Sequence, residues 1–526
     1  MPATPQALRA RTQSLLRVLL LGAIVTLAAL IAGGVVYIQR NPALSTYALM
    51  ALAREPFLRM EFAGIAEAAP TGRNADSIPV LTYHRIVSDS SDVNNVSYSN
   101  FKDQMATLKR AGWETVTLEE FEAFVLGEKQ LPEKSFVLTF DDGAKESFYP
   151  VDPILKILGY EAVNFIIVES SHIPHTTYYL TPREIERMLE TGRWSIGSHS
   201  FDGHHPYPTD GHGGTGIFFA DRIWKADEGR LETPEEFRER VRDDLVRSKM
   251  SLEAAYDVPI NSFAFPLGNE TGINGANNFP EGAIVTEEEA RANYSFGHLQ
   301  LANQHFTTNF PRTSSNPPHA TPAEDFRVWR IHVDFDWDGK RVLQILENGR
   351  SKELPFEDDF SENRGWIPAW GELGMGRNNF VLRATPDTSA ASAFLDGTAM
   401  WDNYSFDAAV NWQRGHAIVL ADVVHSSTYH SCVFSPGSVR IQRTIDGVTE
   451  TLVERADPRI QYGEVRVGVR VRGSVIECTW NFASMVENYS RDFTGGVGLQ
   501  TWDEALGNAE LRVSSVIARP FNGMDE

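Results

Sequence analysis

Cysteine is almost missing from this chain: two of 526 residues, Cys432 and Cys478, too few for a cysteine-based zinc ribbon or a disulfide framework. The pair could bridge once in an oxidising compartment, or the two could be independent buried thiols. Positive charge is also in short supply. Lys and Arg total 48 against 70 Asp and Glu, a formal net charge of −22, which repels phosphate backbones and excludes a general nucleic-acid partner. Internal repeats and low-complexity tracts are absent. Hydrophobic residues at 42% and charged residues at 22% form an ordinary globular composition, so wholesale disorder is excluded. A chain of this length needs more than one core.

Long apolar runs are scarce as well, with one exception. Val18 to Ile38 carries no charge, follows Arg9, Arg11 and Arg17, and precedes Arg40. As a helix it would extend roughly 30 Å, the thickness of a bilayer core. A cleaved signal would have a shorter apolar region, and the small-residue pattern Ala32-Gly33-Gly34 lies inside the run. The expected order is a cytoplasmic tail over 1–17, one transmembrane helix over 18–38 and a juxtamembrane spacer over 39–76. The basic flank puts the rest of a single-pass protein of the cytoplasmic membrane outside the cytoplasm, in the periplasm or at the cell surface.

From 77 to 345 short apolar runs alternate with helical patterns. The runs Ile78 to Tyr83, Phe136 to Phe140, Ala162 to Val168, Trp194 to Ser198 and Ser262 to Phe265 suit buried parallel strands. Thr233-Pro234-Glu235-Glu236 is a capping box opening a helix with Phe237, Val241, Leu245, Leu252 and Tyr256 on one stripe. Glu236 with Arg240 and Asp243 with Arg247 are i,i+4 pairs on its wet side. Thr117 with Glu120 and Thr181 with Glu184 repeat the capping logic, and Ser99 is placed to cap the helix of Phe101, Met105 and Leu108. The expected fold class is α/β, a distorted (β/α) barrel. In such barrels functional groups converge from the C-terminal ends of strands. His84, Asp141, Asp142 and His199 each follow an expected strand.

An Asp-Asp-Gly after a strand is common as a plain turn, and a pair of loop histidines is usually solvated. Together, Asp141-Asp142 and His199 with His204 offer one carboxylate and two imidazoles as metal donors, with a second carboxylate left over as a general base. Thr139 to Gly143, His199 to His204 and Phe263-Ala264-Phe265-Pro266-Leu267-Gly268, in this order, resemble the motifs of the polysaccharide deacetylases of carbohydrate esterase family 4, the NodB-homology domains. The opening Val80 to His84 is similar to the subgroup acting on poly-N-acetylglucosamine. The resemblance covers about 77–345.

The resemblance implies that Asp142, His199 and His204 hold a divalent metal, zinc first among candidates, and that Asp141 takes a proton from the attacking water. His84 would protonate the leaving amine, with His332 the alternative. Phe265 and Pro266 would contact substrate, and His205 could compete with His204. Many relatives have an arginine where this chain has Ala264, so Arg330 is the candidate to orient Asp141. The implied reaction is hydrolysis of N-acetyl groups on an N-acetylated polysaccharide, poly-N-acetylglucosamine-like or, alternatively, peptidoglycan, alongside synthesis or export machinery. The competing class is a non-catalytic glycan-binding scaffold. The loop from Gly203 to Gly216, rich in Gly and His, reads as a mobile pocket rim.

Beyond Glu353 the period becomes two. Tyr404, Phe406, Ala408, Val410 and Trp412 alternate with polar residues, and Val465, Val467, Val469 and Val471 alternate with Arg466, Gly468, Arg470 and Arg472. Residues 353–526 are expected to form an all-β antiparallel sandwich, weakly similar to concanavalin-like and laminin-G-like modules, that could bind carbohydrate. No Glu-x-Asp-x-Glu run marks a second hydrolase. Trp366, Trp370 and Trp401 could stack on sugars or be buried.

Overall fold

The structure is a computed structural model that describes residues 20–29, 53–65, 72–89, 91–173, 176–268, 278–301, 308–312, 326–376, 380–490, 493 and 495–521. Most of the expected span 18–38 lies outside them. Residues 20–29 are helical and exposed, and no helix of the described residues is long and apolar enough to cross a membrane.

Seven parallel strands close into a barrel: β1 (Ile78–Tyr83), β2 (Ser135–Phe140), β3 (Ala162–Ile166), β4 (Trp194–Ser198), β5 (Ser262–Ala264), β6 (Phe296–Leu301) and β7 (Arg327–His332). Strand β1 pairs in parallel with both β2 and β7, which closes the ring. Ile78, Val80, Val137, Val163, Phe165, Phe296 and Val328 form one cluster, plugged by Phe121. Two residues further along β1, β2, β6 and β7 the same face becomes polar, with Thr82 beside Thr139 at 3.1 Å, and with His298 and Arg330. Period two therefore carries these four strands from a dry floor to a chemically capable upper layer.

The helices follow their start signals. α1 (Tyr98–Arg110) is capped by Ser97, whose hydroxyl accepts the Asn100 amide, and not by Ser99. α2 (Leu118–Val125), α3 (Pro182–Glu190) and α4 (Pro234–Tyr256) all open on capping boxes. On α4 the expected pair of Asp243 with Arg247 forms at 3.6 Å, but Glu236 and Arg240 take other partners. Arg240 binds Glu232 at 2.8 Å, while Glu236 takes Arg230 and Lys225, both at 2.7 Å. Part of the expected spacer belongs to the barrel: residues 53–61 are helical, and Leu58 and Phe62 enter the main core. The expected mobile rim contains a hairpin, Pro206–Pro208 paired with Thr215–Ile217, whose turn is tied by Asp210 to the His212 and Gly214 amides.

Residues 356–520 form two antiparallel sheets of eight and seven strands packed face to face. Trp366, Phe406, Trp412, Val467, Val469 and Leu499 fill the space between them. Cys432 and Cys478 lie in opposite sheets and are bridged across this core, with their Cα atoms 5.5 Å apart. Trp366 and Trp401 are buried and cannot meet a sugar, whereas Trp370 is partly exposed.

Candidate metal centre and active site

The turn after β2 aims two carboxylates in different directions. Asp141 continues the extended strand, its amide donating to the Tyr83 carbonyl at 3.0 Å. Asp142 has φ 72° and Gly143 φ 69°. A left-handed aspartate is tolerated at some cost, and such strain gathers at functional sites. Asp141 points into the barrel. Both its oxygens accept from Arg330, at 2.7 and 2.8 Å, in a buried two-pronged pair. Burial opposes the charge on Asp141, but the Arg330 guanidinium and the His199 and His84 imidazoles outweigh it and hold the carboxyl well below its usual range. Arg330 sits on β7, next to β1, and so reaches Asp141 from two strands away on one side, whereas Ala264 lies on β5.

Asp142 Oδ1 is buried without a hydrogen-bond partner. It lies 3.5 Å from His199 Nε2 and 3.2 Å from His204 Nε2. These three side chains are the group of described residues able to hold a metal, with donor atoms all within 4.8 Å of one another. An orphaned carboxylate oxygen facing two imidazole nitrogens fits a divalent cation, with room left for water or substrate. His199 Nδ1 lies 2.8 Å from the Ala264 carbonyl. A carbonyl only accepts, so the proton is on Nδ1 and the Nε2 lone pair is free for an ion. Burial pushes His204 down from its ordinary value, aided by His199, whereas Asp141 and Asp142 outweigh burial at His199 and raise it. Burial opposes ionisation of Asp142 too, yet the imidazoles hold it down at about 2.

The loop bearing these histidines is anchored from behind. Asp244 of α4 accepts the Phe201 and Asp202 amides, both at 2.9 Å. His205 turns away, half exposed, and stacks on Tyr207 at 4.2 Å between ring centres. His84, following β1, and His332, ending β7, meet edge to face at 5.6 Å. Burial and the neighbouring His84 push His332 down to about 4.

These groups open on a cleft of about 340 Å³ lined by His84, Asp141, Asp142, His199 and His204. Phe265 and Pro266, expected at the substrate, are buried instead: Phe265 packs into the core beside Phe263 and Phe326. The next residue, Leu267, takes φ 63° and reaches the cleft wall, 48% exposed. Sequence reasoning missed Leu267, Arg85, Tyr178, Asn94 and Gln300, which also line the cleft. Arg85 directly follows His84 and was within reach of the strand-end argument. Tyr178, 4.7 Å under the Arg85 guanidinium, sits in a connecting segment with no such signal.

Residues 128–275 match the family model for polysaccharide deacetylase. The poly-beta-1,6-N-acetyl-D-glucosamine N-deacetylase of Escherichia coli (strain K12) is 26% identical over 293 residues, covering 51% of this chain and 42% of that protein. The Staphylococcus epidermidis protein of the same name is 29% identical over 147 residues, covering 24% of this chain and 50% of that one. The chain thus spans half or less of the length of these curated relatives. Among solved structures, a de-N-acetylase from Aggregatibacter actinomycetemcomitans aligns with 51% of this chain and 99% of its own, at 20% identity and a TM-score of 0.42. The chain carries a polysaccharide deacetylase domain of the NodB type.

Proposed function

We propose that this chain removes N-acetyl groups from an extracytoplasmic N-acetylhexosamine polysaccharide of the poly-N-acetylglucosamine kind. One observation carries the reading: an unpartnered Asp142 oxygen facing His199 and His204 Nε2, beside a second carboxylate locked by Arg330. A divalent ion held by Asp142, His199 and His204, zinc by the character of the donors, would act as a Lewis acid on the acetyl carbonyl and on water. Asp141 takes the proton of the attacking water. Arg330 occupies one lone pair on each of its oxygens, fixes the plane of the carboxylate and leaves the remaining lone pairs for that proton. An amine leaves only when protonated, and His84, which lines the cleft, delivers the proton to the nitrogen. His332 packs against the ring of His84 and orients it.

The extracytoplasmic site, on a chain anchored by residues 18–38, draws support from the basic residues before the apolar run and from the Cys432–Cys478 bridge, a bond that persists in oxidising compartments. Acetate release tests the whole reading. The purified chain should release acetate from β-1,6-linked N-acetylglucosamine oligomers, lose that activity to a chelator and regain it with zinc. No release after metal reloading would overturn the proposal, and faster release from peptidoglycan fragments would reassign the polymer.

A further inference from the structure

The sheet containing Tyr404–Arg414 and Gly463–Arg472 turns its valines inward, which leaves the arginines noted in the sequence on its outer face. That face holds a cleft of about 590 Å³ that shares no residue with the barrel's cleft. Its lining includes Asn411, Glu464, Arg466, Asn481, Phe482 and Arg512. Asn481 and Phe482 are the two-residue turn of a hairpin, because Trp480 pairs with Ala483. Both are left-handed, with φ 48° and 68°. Asparagine suits the first place of such a turn, but the second strongly favours glycine, and a bulky side chain there is strained.

Phe482 nevertheless holds its ring 57% exposed at the edge of the cleft. The Arg466 guanidinium lies 5.1 Å from the ring centre, and the Arg466 amide donates to Asn481 Oδ1 at 3.1 Å. Neither the turn nor the core gains from an aromatic residue there. Strain kept where folding does not need it points to a ligand. A flat exposed ring beside amide and guanidinium donors is suited to a sugar, whose apolar face stacks while its hydroxyls find planar donors.

Charge narrows the ligand. Arg512 is already held by Glu510 at 2.9 Å, Arg466 lies along the ring, and Glu464 offsets one of them, so little positive charge is left for an anionic partner. Glu464 and Glu510 balance Arg466 and Arg512, so no net charge draws in a cationic amine either, and an ammonium group has no lone pair to accept from the Arg466 and Asn481 donors. Neutral sugars remain.

We propose that this cleft is a second glycan site that takes neutral N-acetylhexosamine units and rejects the deacetylated, cationic form. It rests on the substrate class proposed above. The sandwich then holds polymer not yet processed and lets go of polymer that has been, which keeps acetylated chain near the barrel.

The test uses the full chain carrying Asp141→Asn, titrated calorimetrically with β-1,6-linked N-acetylglucosamine hexamer and with its deacetylated counterpart. The acetylated hexamer should show two sites. Phe482→Gly should weaken one of them about tenfold or more, with the melting temperature equal or raised because glycine relieves the turn. Arg466→Gln should weaken the same site. In the otherwise native chain, Phe482→Gly should leave acetate release from a trimer unchanged. The proposal is overturned if Phe482→Gly leaves both sites intact, if it lowers the melting temperature, or if the deacetylated hexamer binds as well as the acetylated one. Phe482-dependent binding to phosphatidylglycerol vesicles would also overturn it and assign the face to a membrane. If the native chain releases no acetate while the hexamer still binds through Phe482, the deacetylase reading falls and this one stands.

Discussion

The barrel is built from strands of three to six residues and the sandwich from strands of three to eleven, and the two arrange buried polar groups in opposite ways. All seven barrel strands run in one direction, so the residues that end them arrive on one rim, and Asp141, Asp142, His199 and His332 meet there without long loops. Neighbouring sandwich strands run in opposite directions and their ends alternate between two rims. Among the described residues no metal-ligating group forms outside the Asp142, His199 and His204 set. Parallel closure gives a convergent site by topology, whereas an antiparallel sandwich must build recognition on a face.

The largest effects should come from breaking that convergence. Asp142→Ala or His199→Ala should leave no bound metal by elemental analysis and lower turnover on the order of a thousandfold. The sandwich should melt as before. Retained zinc in either variant would show that strand ends do not define the centre.

Asp141→Asn separates the two carboxylates. Metal should stay bound while turnover falls by roughly two to four orders of magnitude. Arg330 then faces a neutral partner in a buried site, so the barrel should lose roughly 3 kcal/mol in chemical denaturation. Adding Arg330→Met should restore much of that stability and none of the turnover. Normal turnover in Asp141→Asn would remove it from the chemistry.

The same contrast explains what could be read from the sequence. Strands β1 to β5 announced themselves as continuous apolar runs, because residues buried on both faces have no polar alternation. Strands β6 and β7 did not. Their inward positions His298, Gln300, Arg330 and His332 belong to the polar upper layer and interrupt the apolar pattern. Asp142, His199 and His204 were legible because they follow strands in an ordered set of motifs. Leu267 was not, because a left-handed turn after β5 sends the next side chain to the cleft and turns Phe265 inward, and local composition does not encode that reversal. In the sandwich the valine period gave the strands away, but pairing of Cys432 with Cys478 depended on which sheet each strand joined.

Removing that bridge should act on the sandwich alone. Cys432→Ser with Cys478→Ser opens a loop of sequence separation 46 and should cost the sandwich roughly 2–4 kcal/mol. Acetate release from short oligomers should not change. If the barrel's transition shifts equally, the two regions fold as one unit and the comparison fails.

The smallest effect is a pH dependence confined to the barrel. Asp244 is 5% exposed and ties the histidine loop to α4 through the Phe201 and Asp202 amides. Burial pushes its carboxyl up to about 6, against the pull of those amides and of Arg240. In the unfolded chain the group titrates near its ordinary value of about 3.9. The folded carboxyl therefore takes up a proton more readily than the unfolded one. Its contribution to stability is fully present below about pH 4 and is lost as pH rises through about 6, a change of roughly 3 kcal/mol at most. Asp244→Asn keeps the shape and one acceptor but cannot ionise, so the barrel's melting temperature should lose this slope between pH 4 and 6 while the sandwich transition is unaffected. Parallel profiles for the native and Asn chains would mean that the two amides stabilise the carboxylate as much as burial destabilises it. Asp244→Ala, which removes both acceptors, should then still loosen the loop and weaken metal binding, because holding that loop does not depend on the charge.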